Sequence, residues 1–123
     1  MPRRTEPDPY AAKIGTRIRE LRIERNMTLA ELADAAGLSK GHVSTIELGF
    51  AAITIETIGR LAKGLELPSL YIMLSPAEDD RDQVMELARK LPRPELVKLR
   101  RTLQAAVKQA AKPPRTLPGL AKV

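Results

Sequence analysis

Between Thr28 and Gly49 the chain carries two helix starts and two helix stops in close succession. Thr28 opens the run T-L-A-E, in which the threonine caps a helix and Glu31, three residues on, completes a capping box. Gly37 ends that helix, because a residue without Cβ takes the left-handed conformation of a tight turn, and Leu38 then drops into the core. Ser39 caps the next helix, which runs to about Leu48, and Gly49 stops it. On either side the apolar residues keep a helical period. Ile14, Ile18 and Leu21 recur at i, i+4 and i+7 and mark a first helix from about Ala11 to Arg25. Ile55, Ile58, Leu61, Ala62 and Leu65 give one face to a fourth helix capped by Thr54, and Pro68 starts a short fifth. No segment alternates as a strand does, so the pattern predicts an all-α fold with five helices in residues 11–74.

At 123 residues there is room for one domain and an appendage. Hydrophobic residues make up 43%, but the aromatics are only Tyr10, Phe50 and Tyr71, so the core must be Leu, Ile, Val and Ala. The absence of cysteine excludes a disulfide scaffold, thiolate zinc sites and thiol catalysis, and with His42 the sole histidine no metal site is expected. Paired carboxylates, a nucleophile with its base and a phosphate-binding glycine loop are all missing, so neither an enzyme nor a cofactor is expected. Without a membrane-length apolar run or a signal peptide, the expectation is a soluble cytoplasmic protein. The net charge of +6 points to a polyanionic partner. That charge is uneven: residues 11–74 hold eight Lys/Arg against seven Asp/Glu, and residues 75–123 hold eleven against six.

Two helices joined by a glycine turn, the second short and polar on its outer face, form a helix-turn-helix, whose second helix fits the major groove of DNA. Ala33, Gly37, Val43 and Ile46 meet its packing demands: a small residue where helices touch, glycine in the turn, two aliphatics on the inner side. The stretch T-L-A-E-L-A-D-A-A-G-L-S-K-G-H-V-S-T-I-E-L-G resembles the XRE family, the phage repressor and Cro-like helix-turn-helix domains, over about residues 13–74. The resemblance implies a five-helix, lambda-repressor-like domain that binds double-stranded DNA, usually as a homodimer on an inverted-repeat operator, its third helix in the groove. It also implies that Glu47 pairs with Arg22 of the first helix; two separately solvated charges are the alternative.

The candidate contacts lie on that third helix. Ser39 can cap the helix, give its hydroxyl to a phosphate, or do both. Lys40 is the only cation there and suits guanine or a flanking phosphate. Gly41 only permits close approach, where relatives often read a base. Ser44 and Thr45 present hydroxyls, and Thr45 a methyl for thymine; His42 can donate to a phosphate or merely pack. Thr28, at the N-terminus of the second helix, joins this set. Leu29 stands where many relatives carry glutamine, and the following loop, F-A-A-I, has no cation. Phosphate contact would then lean on the helix N-termini and on Arg3 and Arg4 of an N-terminal arm, residues 1–10, expected to be flexible.

Beyond residue 75 a helix with Val84, Leu87, Ala88 and Leu91 is followed by a long one in which Leu96, Leu99, Leu103, Ala106 and Ala110 are spaced 3, 4, 3, 4. This hairpin, residues 80–111, reads as a dimerisation segment or as a hairpin folded on its own domain, with its basic flank as further nucleic-acid surface in either case. The tail, residues 112–123, is proline-rich and expected to be disordered. The reading that results is a dimeric transcriptional repressor on the nucleoid, with no small-molecule effector site; its rival is a protein-interaction module, such as an antitoxin or anti-repressor partner, on the same fold.

Overall fold

The computed structural model describes residues 6–110. Arg3, Arg4, Ala111 and the tail 112–123 lie outside the described residues. Helix α1 spans Pro9–Glu24, two residues earlier than the apolar period suggests. The cause is local: the Asp8 carboxylate accepts from the Ala11 N–H at 2.9 Å, and Pro9 at the first helical position has no N–H to leave unsatisfied. Asn26 takes a positive φ of 56° and turns the chain out of α1.

Helix α2 spans Leu29–Ala36 and α3 Lys40–Glu47. The capping box at Thr28 is complete: the hydroxyl accepts from the Glu31 N–H at 3.1 Å, and the Glu31 carboxylate accepts from the Thr28 N–H at 3.0 Å. Gly37 sits at φ 69°, and the Leu38 N–H donates to the Ala33 carbonyl at 2.9 Å, which turns the chain tightly and seats Leu38 against the core. Helix α4 spans Ile55–Leu65 behind the Thr54 cap. Ile58, Leu61, Ala62 and Leu65 are buried as their period requires, but Ile55 is 90% exposed. Placed one residue after the cap, it precedes the turn that meets the core. The fifth helix is 3-10 rather than α, Ser69–Met73, with Pro68 just outside it and Ile72 buried.

Eight aliphatic side chains are shut off from solvent: Ile18, Leu21, Leu32, Val43, Ile46, Leu61, Leu65 and Ile72. Glycine lets the backbones close around them. A Cβ at Gly15 would lie 2.3 Å from the Ile46 carbonyl oxygen and 2.7 Å from that of Glu47, so α1 crosses the end of α3 at a distance only hydrogen permits.

Helix α5 spans Asp80–Ala88 and α6 Arg93–Gln109. The first compact unit runs past the expected boundary at Leu74 to Glu86, and the second begins at Leu87. Within the first unit, the Asp82 carboxylate accepts from the Ser75 N–H at 2.7 Å, and Glu86 pairs with Arg17 of α1. No residue of α6 is buried.

Candidate nucleic-acid interface

The site is α3 and what holds it. Val43 and Ile46 are completely buried, which fixes the helix's rotation about its axis and leaves Lys40 and Gly41 exposed, with Ser44 and Thr45 half-exposed beside them. Ser39 accepts from the His42 N–H at 3.0 Å, so it caps the helix. That bond uses a lone pair, and the hydroxyl proton is still available to a ligand. Thr28 caps α2, its hydroxyl engaged in the box with Glu31. The Thr45 hydroxyl donates to the Gly41 carbonyl at 2.8 Å, so toward a ligand Thr45 offers only an acceptor and its methyl. His42 is half-buried. Lys40 has no ion-pair partner among the described residues. Nothing lies within 4 Å of where a Gly41 Cβ would be, so the fold itself does not require glycine there.

Arg22 and Glu47 meet as fork on fork. Nε donates to Oε2 at 2.8 Å and Nη2 to Oε1 at 3.0 Å, while Nη1 donates to the Met27 carbonyl at 2.8 Å. The side chains are 12% and 6% exposed. The hydrogen bonds that Arg22 donates to Glu47 raise its pKa above the ordinary value, against a smaller opposing effect of burial. One guanidinium thereby joins α1, the end of α3 and the turn into α2.

A family model described as "Helix-turn-helix" matches residues 18–72. The pattern of the stretch Thr28–Gly49, the capped and glycine-turned pair α2 and α3, and the Arg22–Glu47 lock all fall in that span. Residues 18–72 form a helix-turn-helix domain similar to those of the XRE family. The "HTH-type transcriptional regulator SutR" of Escherichia coli (strain K12) is 30% identical over 73 residues, 59% of this chain. The match spans only 40% of that regulator's length. Among solved structures, the restriction-modification controller protein C.AhdI from Aeromonas hydrophila is 29% identical with a TM-score of 0.50, covering 50% of this chain and 94% of that one. C.Esp1396I bound to a 19 base pair DNA duplex is 28% identical, also at 0.50, covering 53% of this chain and 87% of that one.

Three residues of the domain escape the sequence reading. Arg17 is 7% exposed, its Nε donating to the Tyr71 carbonyl at 2.9 Å and Nη1 paired with Glu86, while Nη2 has no partner among the described residues. Its signal was present: Ile14, Arg17, Ile18 and Leu21 share one stripe, so a cation stood among core positions. Gly15 stands in the same helix beside Ile14. Arg19 faces the interface itself, lining with Thr16, Leu29, Ser44 and Leu48 a depression of about 520 Å³ beside α3. Nothing local in the sequence brings α1 alongside Ser44; the contact of Gly15 with the end of α3 does.

Proposed function

We propose that the chain is a DNA-binding transcriptional regulator that inserts α3 into the major groove, binds as a homodimer at an inverted-repeat operator, and represses by occupying promoter DNA. The observation that carries this is the two-sided character of α3: one side is sealed by Val43 and Ile46, the other presents Lys40, Gly41, Ser44 and Thr45 to solvent. Ser44 and Thr45 read base edges, Thr45 through its acceptor and its methyl, and Lys40 meets guanine or the adjoining phosphate. Gly41 lets the helix approach closely. Phosphates on either side are held by the free hydroxyl proton of Ser39 at the start of α3, by the N-terminus of α2 at Thr28, by His42, and by Arg19 across the depression beside Ser44. The working place is the cytoplasm, on the nucleoid, and no effector is required. No described helix is long and apolar enough to cross a membrane.

Genome-wide crosslinking of the tagged protein yields a palindromic motif if this is right. On that motif, Ser44→Ala or Thr45→Ala costs about 1–3 kcal/mol each. A variant with alanine at 40, 44 and 45 that is folded by circular dichroism and still footprints like the parent defeats the groove assignment. The exposed Leu48, at 57%, and Ile55, at 90%, favour the rival protein-interaction module. That reading gives no discrete genomic peaks.

A further inference from the structure

The charge of the chain divides at the boundary of its two units. Residues 1–86, which contain the whole helix-turn-helix domain, hold eleven Lys/Arg against fourteen Asp/Glu and are net −3. Residues 87–123 hold ten against one and are net +9. A duplex is a dense line of negative charge, and most sequence-independent affinity comes from cations that displace its counterions. In the first unit Lys13, Arg17, Arg22, Arg25 and Arg60 are engaged in ion pairs, and α3 carries Lys40 alone. In α6 most cations are not. Arg93, Arg100, Arg101 and Lys108 are exposed, with no ion-pair partner among the described residues. At 100° per residue they fall in one sector of about 100°, centred about 130° around the helix from the stripe of Leu96, Leu99, Leu103 and Ala106. The single acid, Glu95, is already paired with Lys98 at 3.4 Å.

We infer that the basic face of α6 is a second, sequence-independent DNA-binding surface, which adds charged phosphate contacts to the few that the net-negative helix-turn-helix unit makes. The inference rests on the DNA-binding reading above and adds a division of labour: α3 selects the sequence, and α6 provides non-specific affinity. An amphipathic basic helix also suits an anionic bilayer. A duplex is favoured because the surface is joined to a groove-reading domain that is itself net negative.

The test is fluorescence anisotropy of the full chain on a labelled 30-base-pair duplex of mixed sequence, titrated from about 50 to 300 mM salt. Four phosphate contacts give a slope of log K against log salt of about −3.6, from −0.9 per contact. Replacing Arg93, Arg100, Arg101 and Lys108 together by glutamine, a good helix former, should remove most of that slope and weaken binding at least about tenfold at 100 mM salt. Glu95→Gln, which leaves every cation in place and removes the acid, should strengthen binding up to about threefold, a direction that unfolding of α6 cannot produce. Parental slope and affinity in the four-fold variant would overturn the proposal. So would parental binding to phosphatidylserine vesicles that the four-fold variant loses while keeping its duplex binding. A chain that binds no duplex at all, mixed or selected, would instead defeat the DNA-binding reading.

Discussion

At the scale of single residues, glycine does two opposite things in this chain. At Gly15 it is compulsory, because any Cβ would strike backbone carbonyls of Ile46 and Glu47 that cannot yield as a side chain does. Gly15→Ala should therefore push α1 off α3 and cost about 3 kcal/mol or more, as strong overpacking does. A urea melt within 1 kcal/mol of the parent would show that the helices can part without loss. At Gly41 the surrounding space is empty, and a helical glycine is about 0.5–1 kcal/mol worse than alanine. Gly41→Ala should then raise stability by about that amount and weaken operator binding, because the added methyl stands where DNA would approach. A gain in both would remove Gly41 from the interface. The empty position was legible in the sequence; the compulsory one was not, since a glycine inside an amphipathic stripe gives no sign of which helix crosses it.

At the scale of elements, α2 and α3 were legible because their ends are written locally, in the caps Thr28 and Ser39 and the left-handed Gly37. The tie from Arg17 to Glu86 was not, since it joins residues 69 apart in the chain. The fifth helix was legible in its start but not in its winding, because Pro68 marks where a helix begins without revealing whether it is 3-10 or α. Ion pairs between elements differ in weight with burial. Losing Glu47 strands a nearly buried Arg22, so Glu47→Ala should cost about 3–5 kcal/mol. Glu78→Ala, which breaks the exposed pair of Lys13 and Glu78, should cost under about 1 kcal/mol. Equal thermal melts for the two variants would mean that the fork contributes no more than a surface contact. The box at α2 responds to acid. Hydrogen bonds from the Thr28 backbone and hydroxyl hold the Glu31 carboxyl below its ordinary pKa. A depressed folded pKa gives stability that is complete above the unfolded value and disappears as pH falls through the folded one. The advantage of the parent over Glu31→Gln should therefore fade through the acid range below the ordinary carboxylate pKa. An advantage that persists or grows there, in denaturant melts across pH, would have the sign wrong.

For the whole molecule, the proposed dimer needs a surface that would bring two copies of α3 to one operator. Leu96 and Leu103 of α6 are 40% and 48% exposed, Leu99 is half-buried, and the stripe they form keeps the 3, 4, 3, 4 spacing that a partner helix can seal. An α6 of 17 residues is marginal alone, which makes a second copy the natural source of the missing surface. Such a dimer would present its recognition helices to half-sites about 34 Å apart, one turn of duplex, and monomers would keep only part of the affinity. Leu99→Asn with Leu103→Asn places two amides in the seam, at a cost of roughly 1–3 kcal/mol for each that is buried unsatisfied. Asparagine is neutral, so the basic face of α6 keeps its charge, and a change in oligomeric state cannot be confused with a loss of phosphate contacts. Sedimentation equilibrium should then show monomer where the parent is dimeric, with operator affinity falling much more than affinity for a mixed-sequence duplex. A double variant that stays dimeric moves the interface to the 3-10 helix. There Leu70 and Met73 are 53% and 47% exposed, whereas Tyr71 is half-buried with its carbonyl engaged by Arg17. Leu70→Asn with Met73→Asn is the variant that should then dissociate the protein.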